Sequence, residues 1–556
     1  MNKTELKNLL LQKEKEYLSE LVLMLLYKLD DEKRMDFTAK YINAKVVLSE
    51  LNKLESGDFL SEVNGFCEAC LERDYYVEAD YDDHHDSYDE SEFEDSAWAD
   101  KFAKYFRLSA VYARNGDYDI AYSALSSLFD CIYEADGDSD MLGTGDPLAY
   151  ITIDVNDTLE IFFDSALKYH KDPAPAYEKI LETWLDFKGY FKSDMSVYIT
   201  DLPAALTALE NIVRRIRFQD SEQIYLLVKK IHADKGVKFD GLALSQKLTE
   251  YDPDYSLYLA QEYYDIKQWD KAVETAQKYL TRENTNENYY QLHERGSVSN
   301  KIKMILIDSY EQNGQINESY AAALEMFKFL RWFSLYKRAR FLAEKIMNIP
   351  DFIDEIESWL ESQNNELYPG GNKHLLREIL SFEGRRDRLI EIAPQDLKKV
   401  QWGYFSSDRS YEYLKYTAAS LIYACLGNSG IETENGTEDE ITVAGIDYGL
   451  KNLCVFISKL KSENNEGISD MFLFEKDPNN QERYLSSAVD MLRKMIQFHI
   501  EGAQRASYAK AAYYAGIEED VCEVLGKSDD YIQTLMQENK RRPAFRDEMR
   551  KVIKGI

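Results

Sequence analysis

The feature that most constrains this chain is the spacing of its apolar residues, which follows a helix almost throughout. In LSELVLMLLYKL, one apolar set recurs at i, i+3, i+4, i+7 and i+8, and this spacing predicts one buried stripe: Leu18, Leu21, Val22, Leu25 and Leu26. Only 10 prolines interrupt 556 residues, and strand-like alternation is confined to short pieces such as 150–154 and 440–445. The sequence therefore predicts an all-α fold.

The segment Leu21–Tyr27 is short, follows Glu20 and has no cleavage site, so we interpret it as core and not as a leader peptide. No apolar run is long enough to span a bilayer, and we expect no membrane partner.

A three-residue register recurs along the chain, with a large residue, an aromatic residue and then a small residue at equal spacings. Its members are Leu108, Tyr112 and Ala121; Leu259, Tyr263 and Ala272; and Leu306, Tyr310 and Ser319. Breaks such as Asn115-Gly116 and Asn313-Gly314 separate the aromatic from the small residue, as in a tetratricopeptide-type helical hairpin. We expect an irregular α-solenoid of such hairpins; a compact multi-helix bundle is the alternative.

Two further helix pairs are predicted, at 374–393 with its turn at Gly384 and at 508–526 with its turn at Gly516. The expected domains are an N-terminal helical domain over 1–145 with an acidic insert at 72–100, central repeats over 146–430, and a C-terminal helical domain over 431–556 with a basic tail.

The net charge of the chain limits the classes of partner that it can bind. The chain has 67 basic and 100 acidic residues, a net charge of −33, which repels nucleic acid and anionic membranes. A protein partner should therefore be neutral or basic. Six cysteines are scattered among apolar residues, as expected of free thiols in a reducing compartment, so we expect a cytoplasmic protein.

Four segments in order resemble the helical region that follows the zinc finger in bacterial SWIM zinc-finger proteins and their stand-alone relatives: SALSSLFDCIYEADGDSD, KHLLREILSFEGRRDRLIEIA, RYLSSAVDMLRKMIQFH and ENKRRPAFRDEMRKV. The zinc motif of that family, Cys-x-Cys followed by Cys-x-His, is absent. The resemblance implies a bacterial helical-repeat protein of interaction-based function, and it transfers no catalytic residue.

The acidic loop EADGDSDMLGTGD, residues 134–146, is a candidate calcium loop. Asp136, Asp138 and Asp140 occupy positions 1, 3 and 5 of an EF-hand, but position 6 is Met141 and position 12 is Pro147. The turn glycine and the closing glutamate are missing, so we favour an inter-helix loop whose aspartates cap helix starts. FCEAC, residues 66–70, lacks a second cysteine pair, which favours core cysteines over a zinc site.

The acidic stretch 75–100 interleaves aromatic residues with carboxylates and contains His84 and His85. A solvated linker and a transition-metal site are alternatives, but aromatic anchors among acids favour docking of a basic partner. The predicted contact residues here are Tyr75, Tyr76, Tyr81, Tyr88 and Trp98.

Basic clusters supply the remaining predicted contact residues, which are Arg331, Trp332, Arg338, Arg541 and Arg542. Pairing of these arginines with neighbouring acids is the alternative. No Gly-x-Ser-x-Gly or Gly-x-x-x-x-Gly-Lys-Ser/Thr motif occurs. We expect no catalysis, no cofactor and no resident metal, and a protein-interaction scaffold or adaptor. The alternatives are a metal-dependent enzyme or effector that uses the acidic clusters and a nucleic-acid-associated component of a bacterial defence system.

Overall fold

The computed structural model describes residues 15–29, 34, 37–38, 40–41, 56–75, 97–137, 139–142, 144–282, 297–363, 371–399, 410–426, 441–443, 446–448, 478–527 and 530–553. The chain divides into two compact units, Met1–Glu262 and Tyr263–Ile556. This division coincides with neither of the expected domain boundaries, which stay predictions.

The described residues are almost entirely helical, which confirms the all-α prediction. The described helices between residues 15 and 265 are α1 Lys15–Leu26, α2 Ser56–Leu71, α3 Ala97–Asn115, α4 Tyr118–Ala135, α5 Ser139–Leu142, α6 Val155–Tyr169, α7 Pro173–Phe187, α8 Leu202–Val213, α9 Phe218–Asp234, α10 Gly241–Leu248 and α11 Ser256–Asp265. The later helices are α12 Trp269–Leu280, α13 Val298–Gln312, α14 Ile316–Leu330, α15 Phe333–Ala343, α16 Ile349–Ser362, α17 Gly371–Phe382, α18 Arg386–Lys399, α19 Ser410–Leu426, α20 Gln481–Glu501, α21 Arg505–Val524, α22 Tyr531–Glu538 and α23 Pro543–Val552.

Strand structure within the described residues is one small antiparallel pair, β1 Ile441–Val443 and β2 Ile446–Tyr448. The strand-like alternation at 440–445 therefore does contain a strand. The segment 150–154 contains no strand. Asp154 instead caps the start of α6, and its side chain accepts a 3.0 Å hydrogen bond from the backbone N–H of Asp157.

Helices pack mainly against their neighbours in the chain. In the first unit, α3 packs on α4, α4 on α6, α6 on α7, α7 on α8 and α8 on α9. In the second unit the order α12, α13, α14, α15 is packed in the same way, and α19, α20 and α21 form a tight C-terminal group. Consecutive packing of this kind gives each helix pair a local core.

The recurring register is part of these hairpins. Its three small residues, Ala121, Ala272 and Ser319, are fully buried. In the third hairpin the Ser319 hydroxyl donates a 2.8 Å hydrogen bond to the carbonyl of Ile307, so α14 lies close against α13. The small residue therefore allows the two helices to approach closely, as its size predicts.

Many helix ends share one turn. A residue with positive φ follows the helix, and the next backbone N–H bonds to a carbonyl five residues earlier, as in a Schellman motif. The pairs are Asp117 to Tyr112, Gln268 to Tyr263, Gln315 to Tyr310, Arg385 to Leu380 and Lys527 to Cys522, at 2.9–3.0 Å. Gly116, Gly314 and Gly384 occupy the positive-φ position at the expected breaks.

Gly116→Ala is expected to destabilise the first unit by about 1 kcal/mol, because φ at Gly116 is 96° and a side chain strains that backbone. No atom lies within 4 Å of an added Cβ at this position, so the cost is conformational and not steric. Gly189→Ala is the matched control, since it has equal space and no positive φ. Urea unfolding measures both variants, and equal stabilities would contradict the assignment.

The turn predicted at Gly516 is wrong. Helix α21 runs without a break from Arg505 to Val524, and Gly516 is among its buried residues. The left-handed turn comes later, at Gly526. A glycine inside a helix is tolerated when tertiary packing surrounds it, and here α21 is packed against α20 and α23.

The prediction that the apolar stripe of α1 is buried is also wrong. Leu26 is buried, but Val22 and Leu25 are exposed, Leu25 by 54%. Helical spacing shows which side of a helix is apolar, whereas burial also requires another surface to cover that side. Among the described helices, none combines the length and the apolar content needed to cross a membrane.

Candidate functional site

The contact residues predicted in the acidic insert lie in different environments. Tyr75 is half-buried, and its hydroxyl accepts a 2.6 Å hydrogen bond from the Lys101 ammonium. Trp98 is only 4% exposed and packs against Phe102, so it serves the core of the first unit and is not available as a surface anchor. Tyr76, Tyr81 and Tyr88, together with His84 and His85, lie outside the described residues.

The two predicted arginines after α14, Arg331 and Arg338, are engaged within the protein. Arg338 forms ion pairs with Asp308 at 2.6 Å and with Glu311, as in the alternative interpretation in which arginines neutralise surplus acids. Arg331 adopts a left-handed conformation at the end of α14, and its guanidinium lies 5.8 Å from the centre of the Trp359 ring. Trp332 is half-buried and packs against the hydrophobic core of this unit.

The basic tail brings together one exposed and one anchored arginine. Arg541 is exposed, whereas the Arg542 guanidinium donates a hydrogen bond to the backbone carbonyl of Ile500. Arg542 therefore ties the start of α23 to the end of α20. Of these two predicted contact residues, Arg541 is the more accessible.

The acidic loop 134–146 lies between helices and contains the short helix α5. The backbone N–H of Gly137 donates a 3.0 Å hydrogen bond to the carbonyl of Gly145, which closes the loop. Asp136 follows the end of α4, and Asp146 precedes a 3₁₀ turn without a side-chain capping bond. The expected capping role is therefore wrong for Asp146, and Asp138 lies outside the described residues.

Cysteines of the FCEAC segment are core residues, as predicted. Cys67 and Cys70 are buried free thiols on α2, and the Cys131 thiol of α4 donates to the carbonyl of Cys67 at 3.8 Å. Hydrogen bonding with the Cys131 thiol and burial both raise the pKa of Cys67. Across the part of the chain that the structure describes, no three or more His, Cys, Asp or Glu side chains are grouped so as to hold a metal ion.

A different surface combines charge and exposed rings. We name it the acidic–aromatic face, and it is formed by side chains of the second helices of three successive hairpins, with one ring from the end of α6. Its members are Tyr122, Asp130 and Tyr133 of α4, Tyr169 of α6, Glu182 and Asp186 of α7, and Asp220 of α9. Tyr133 and Tyr169 are 51% and 45% exposed.

Carboxylates from three helices interact on this face. Asp186 lies within electrostatic reach of Glu182, Asp130 and Asp220, and partial burial followed by repulsion from Glu182 raises its pKa to about 6. Asp186 and Asp220 also raise the pKa of Tyr133, with Asp186 the larger cause. Burial and the neighbouring carboxylates raise both pKa values, and Lys179 partly opposes them at Asp186.

Two cations offset part of that charge. Lys179 pairs with Asp130 at 2.6 Å, and Arg215 pairs with Glu178 at 2.8 Å and Glu182 at 3.1 Å. Among the described residues, Asp186 and Asp220 have neither an ion pair nor a hydrogen bond through their carboxylates. The face therefore presents carboxylates without direct ion pairs to solvent.

Aromatic rings continue the face at its other end. Tyr122 stacks on Tyr169 with ring centres 4.8 Å apart, and both rings meet His170 edge-on. Burial lowers the pKa of His170, so it is neutral near pH 7 and adds no positive charge. The rings form a platform beside the carboxylates.

Asp186→Asn is expected to stabilise the protein near neutral pH by up to about 1 kcal/mol, after allowance for the exposed side of the residue. Because the pKa in the folded state is raised to about 6, the unfolded chain releases this proton first as pH rises. The contribution of Asp186 to wild-type stability therefore falls between about pH 4 and pH 6, and the variant lacks this contribution. Urea unfolding near pH 4 and near neutrality measures the difference, and a variant destabilised near neutrality would refute the sign.

The acidic–aromatic face was not identified from the sequence. A signal exists on α4, where Tyr122, Asp130 and Tyr133 recur at helical spacing and place two rings and a carboxylate on one side. The partners on α7 and α9 are distant in sequence, so only the packing of the hairpins brings them to the same surface.

Comparison with known proteins provides no relative: no protein-family model matches this chain, and no curated protein sequence matches it significantly.

Proposed function

We propose that this protein is a scaffold or adaptor that binds another protein on its helical hairpins and carries out no catalysis itself. The observation that carries the proposal is the acidic–aromatic face, where exposed Tyr133 lies beside carboxylates of α7 and α9 and exposed Tyr169 stacks on Tyr122. Tyrosines are enriched in protein interfaces, and surrounding charge steers a partner to them.

The proposed architecture is an irregular solenoid of tetratricopeptide-like hairpins. Two observations support it: helices pack mainly on their chain neighbours, and the same left-handed turn recurs at helix ends. A solenoid aligns equivalent helices of successive repeats into a long binding surface. The convergence of Asp130, Asp186 and Asp220 from successive second helices is what such an arrangement would produce.

The proposed setting is the bacterial cytoplasm. Five described cysteines are free and buried, which suits a reducing compartment. The bacterial assignment and the relation to SWIM-associated proteins depend on the resemblance of the four helical segments. The absence of catalysis depends on the lack of nucleophile and phosphate-binding motifs in the sequence.

Affinity capture with matched variants tests the scaffold function. Full-length wild type, Tyr133→Ala and Tyr190→Ala are immobilised and exposed to a lysate of the native host, and retained proteins are quantified by mass spectrometry. Tyr190 is the control because it is an exposed tyrosine of the same unit that lies outside the face. We expect wild type and control to retain a partner near stoichiometry, and Tyr133→Ala to lose most of it. Equal retention by Tyr133→Ala, or no enrichment over empty beads, would refute the proposal.

A further inference from the structure

We propose that the acidic–aromatic face binds a lysine- or arginine-rich segment of the partner protein, with cationic side chains at Asp186 and Asp220 and apolar or planar side chains against Tyr133. This inference rests on the scaffold function proposed above and names the chemistry of the partner.

The first argument is a contrast in charge compensation. Shielded carboxylates elsewhere have cationic partners: Glu383 pairs with Arg340 at 2.5 Å, and Glu518 pairs with Arg493 at 2.6 Å. Asp186, by contrast, is exposed and has no described ion pair, and the charged side chains around it are Glu182, Asp130 and Asp220, with Lys179 as the nearby cation. An arriving lysine or arginine would supply the missing positive charge.

The second argument is spatial. Neighbouring packed helices have axes about 8–10 Å apart, so carboxylates distributed over three helices span roughly 20 Å. An extended peptide covers that distance with about six residues, at roughly 3.3 Å per residue. A single divalent ion fits less well, because the described carboxylates are not grouped as metal ligands. Polyanions such as nucleic acid are repelled by the same charges.

The third argument concerns the rings. Tyr133 lies among the carboxylates, while Tyr122 and Tyr169 stack on each other at the other end of the face. Exposed tyrosine rings provide contact area and cation–π sites at a small entropic cost. Charge alone would attract small cations, whereas charge with rings favours a peptide that has both cationic and apolar side chains.

Fluorescence anisotropy with a labelled peptide, Arg-Ser-Leu-Arg-Ser-Leu-Arg, tests the inference on full-length protein at physiological salt. The face variant is Asp186→Asn/Asp220→Asn. The matched control is Glu318→Gln/Glu325→Gln, which removes the same charge from exposed residues of α14 that have no described ion pair. We expect about tenfold weaker binding for the face variant and less than about twofold for the control. Circular dichroism confirms that each variant is folded.

Each outcome decides the question. Equal weakening by the two double variants would show that bulk charge attracts the peptide and would overturn the inference, as would undetectable binding by the wild type. If affinity capture retains a partner through Tyr133 but the peptide does not bind, the scaffold function stands and the basic-segment assignment falls. If the peptide binds through the face but no host protein is retained, the scaffold proposal fails.

Discussion

Phe129→Ala is expected to lower the free energy of unfolding by about 3–5 kcal/mol, because it removes a large buried ring and leaves a cavity. Phe129 of α4 is only 1% exposed. Its ring centre lies 5.1 Å from that of Phe106 on α3, 5.5 Å from that of Phe162 on α6 and 5.1 Å from that of Phe187 on α7. One ring therefore joins two successive hairpins.

Tyr133→Ala is the matched control for Phe129→Ala, since it removes a ring of similar size from the exposed side of the same helix. We expect its stability to lie within about 0.5 kcal/mol of the wild type. Urea unfolding followed by circular dichroism compares the two variants. A cost below about 1 kcal/mol for Phe129→Ala would contradict the packing described for the first unit. The control also shows that loss of binding by Tyr133→Ala is not loss of folding.

Arg493→Ala is expected to destabilise the second unit by about 3–5 kcal/mol, because it leaves a buried carboxylate without its cation. The side chain of Glu518 is only 2% exposed, and its Oε1 accepts a 2.7 Å hydrogen bond from Nε of Arg493 and forms an ion pair with Nη2 at 2.6 Å. The Arg493 guanidinium also lies 4.2 Å from the centre of the Tyr531 ring, so truncation removes packing as well as charge.

Arg483→Ala provides the comparison for Arg493→Ala. Arg483 lies on the same helix, α20, and pairs with Asp387 at 2.8 Å, but both side chains are more than half exposed. Loss of an exposed pair costs about 0–1 kcal/mol. Thermal and urea unfolding measure the two variants, and the double variant Arg493→Met/Glu518→Gln should recover part of the lost stability because no charge is left buried. Equal costs for the two single variants would show that burial does not set the strength of these pairs.

These predictions separate stability from binding. Phe129 lies in a core and Arg493 neutralises a buried carboxylate, whereas Asp186 and Asp220 contribute repulsion that folding tolerates. Neutralising Asp186 should therefore raise stability and weaken peptide binding in the same variant. That opposition is typical of functional surfaces, where charge is retained for a partner at some cost in stability.

Helical class, the small residues at hairpin contacts and the breaks at Gly116, Gly314 and Gly384 were predictable from the sequence, because helix periodicity and left-handed turns are local properties. The buried cysteines followed from their apolar neighbours in the same way. Predictions from local spacing were wrong where burial depends on contacts with other parts of the chain. Gly516 was predicted as a turn and lies inside α21, while Val22 and Leu25 were predicted as core and are exposed.

Tertiary structure alone decided which charged and aromatic residues are exposed on one surface. Trp98 was predicted as a surface anchor among acidic residues, but helix packing buries it. The acidic partners of Arg338 lie on α13, and only the packing of α13 near α15 brings them to this arginine. Asp130, Asp186 and Asp220 are separated by more than 30 residues at each step, and no local pattern relates them. Their convergence is a property of how successive hairpins pack, since side-chain spacing within one helix determines its own faces and leaves the neighbours of those faces to the fold.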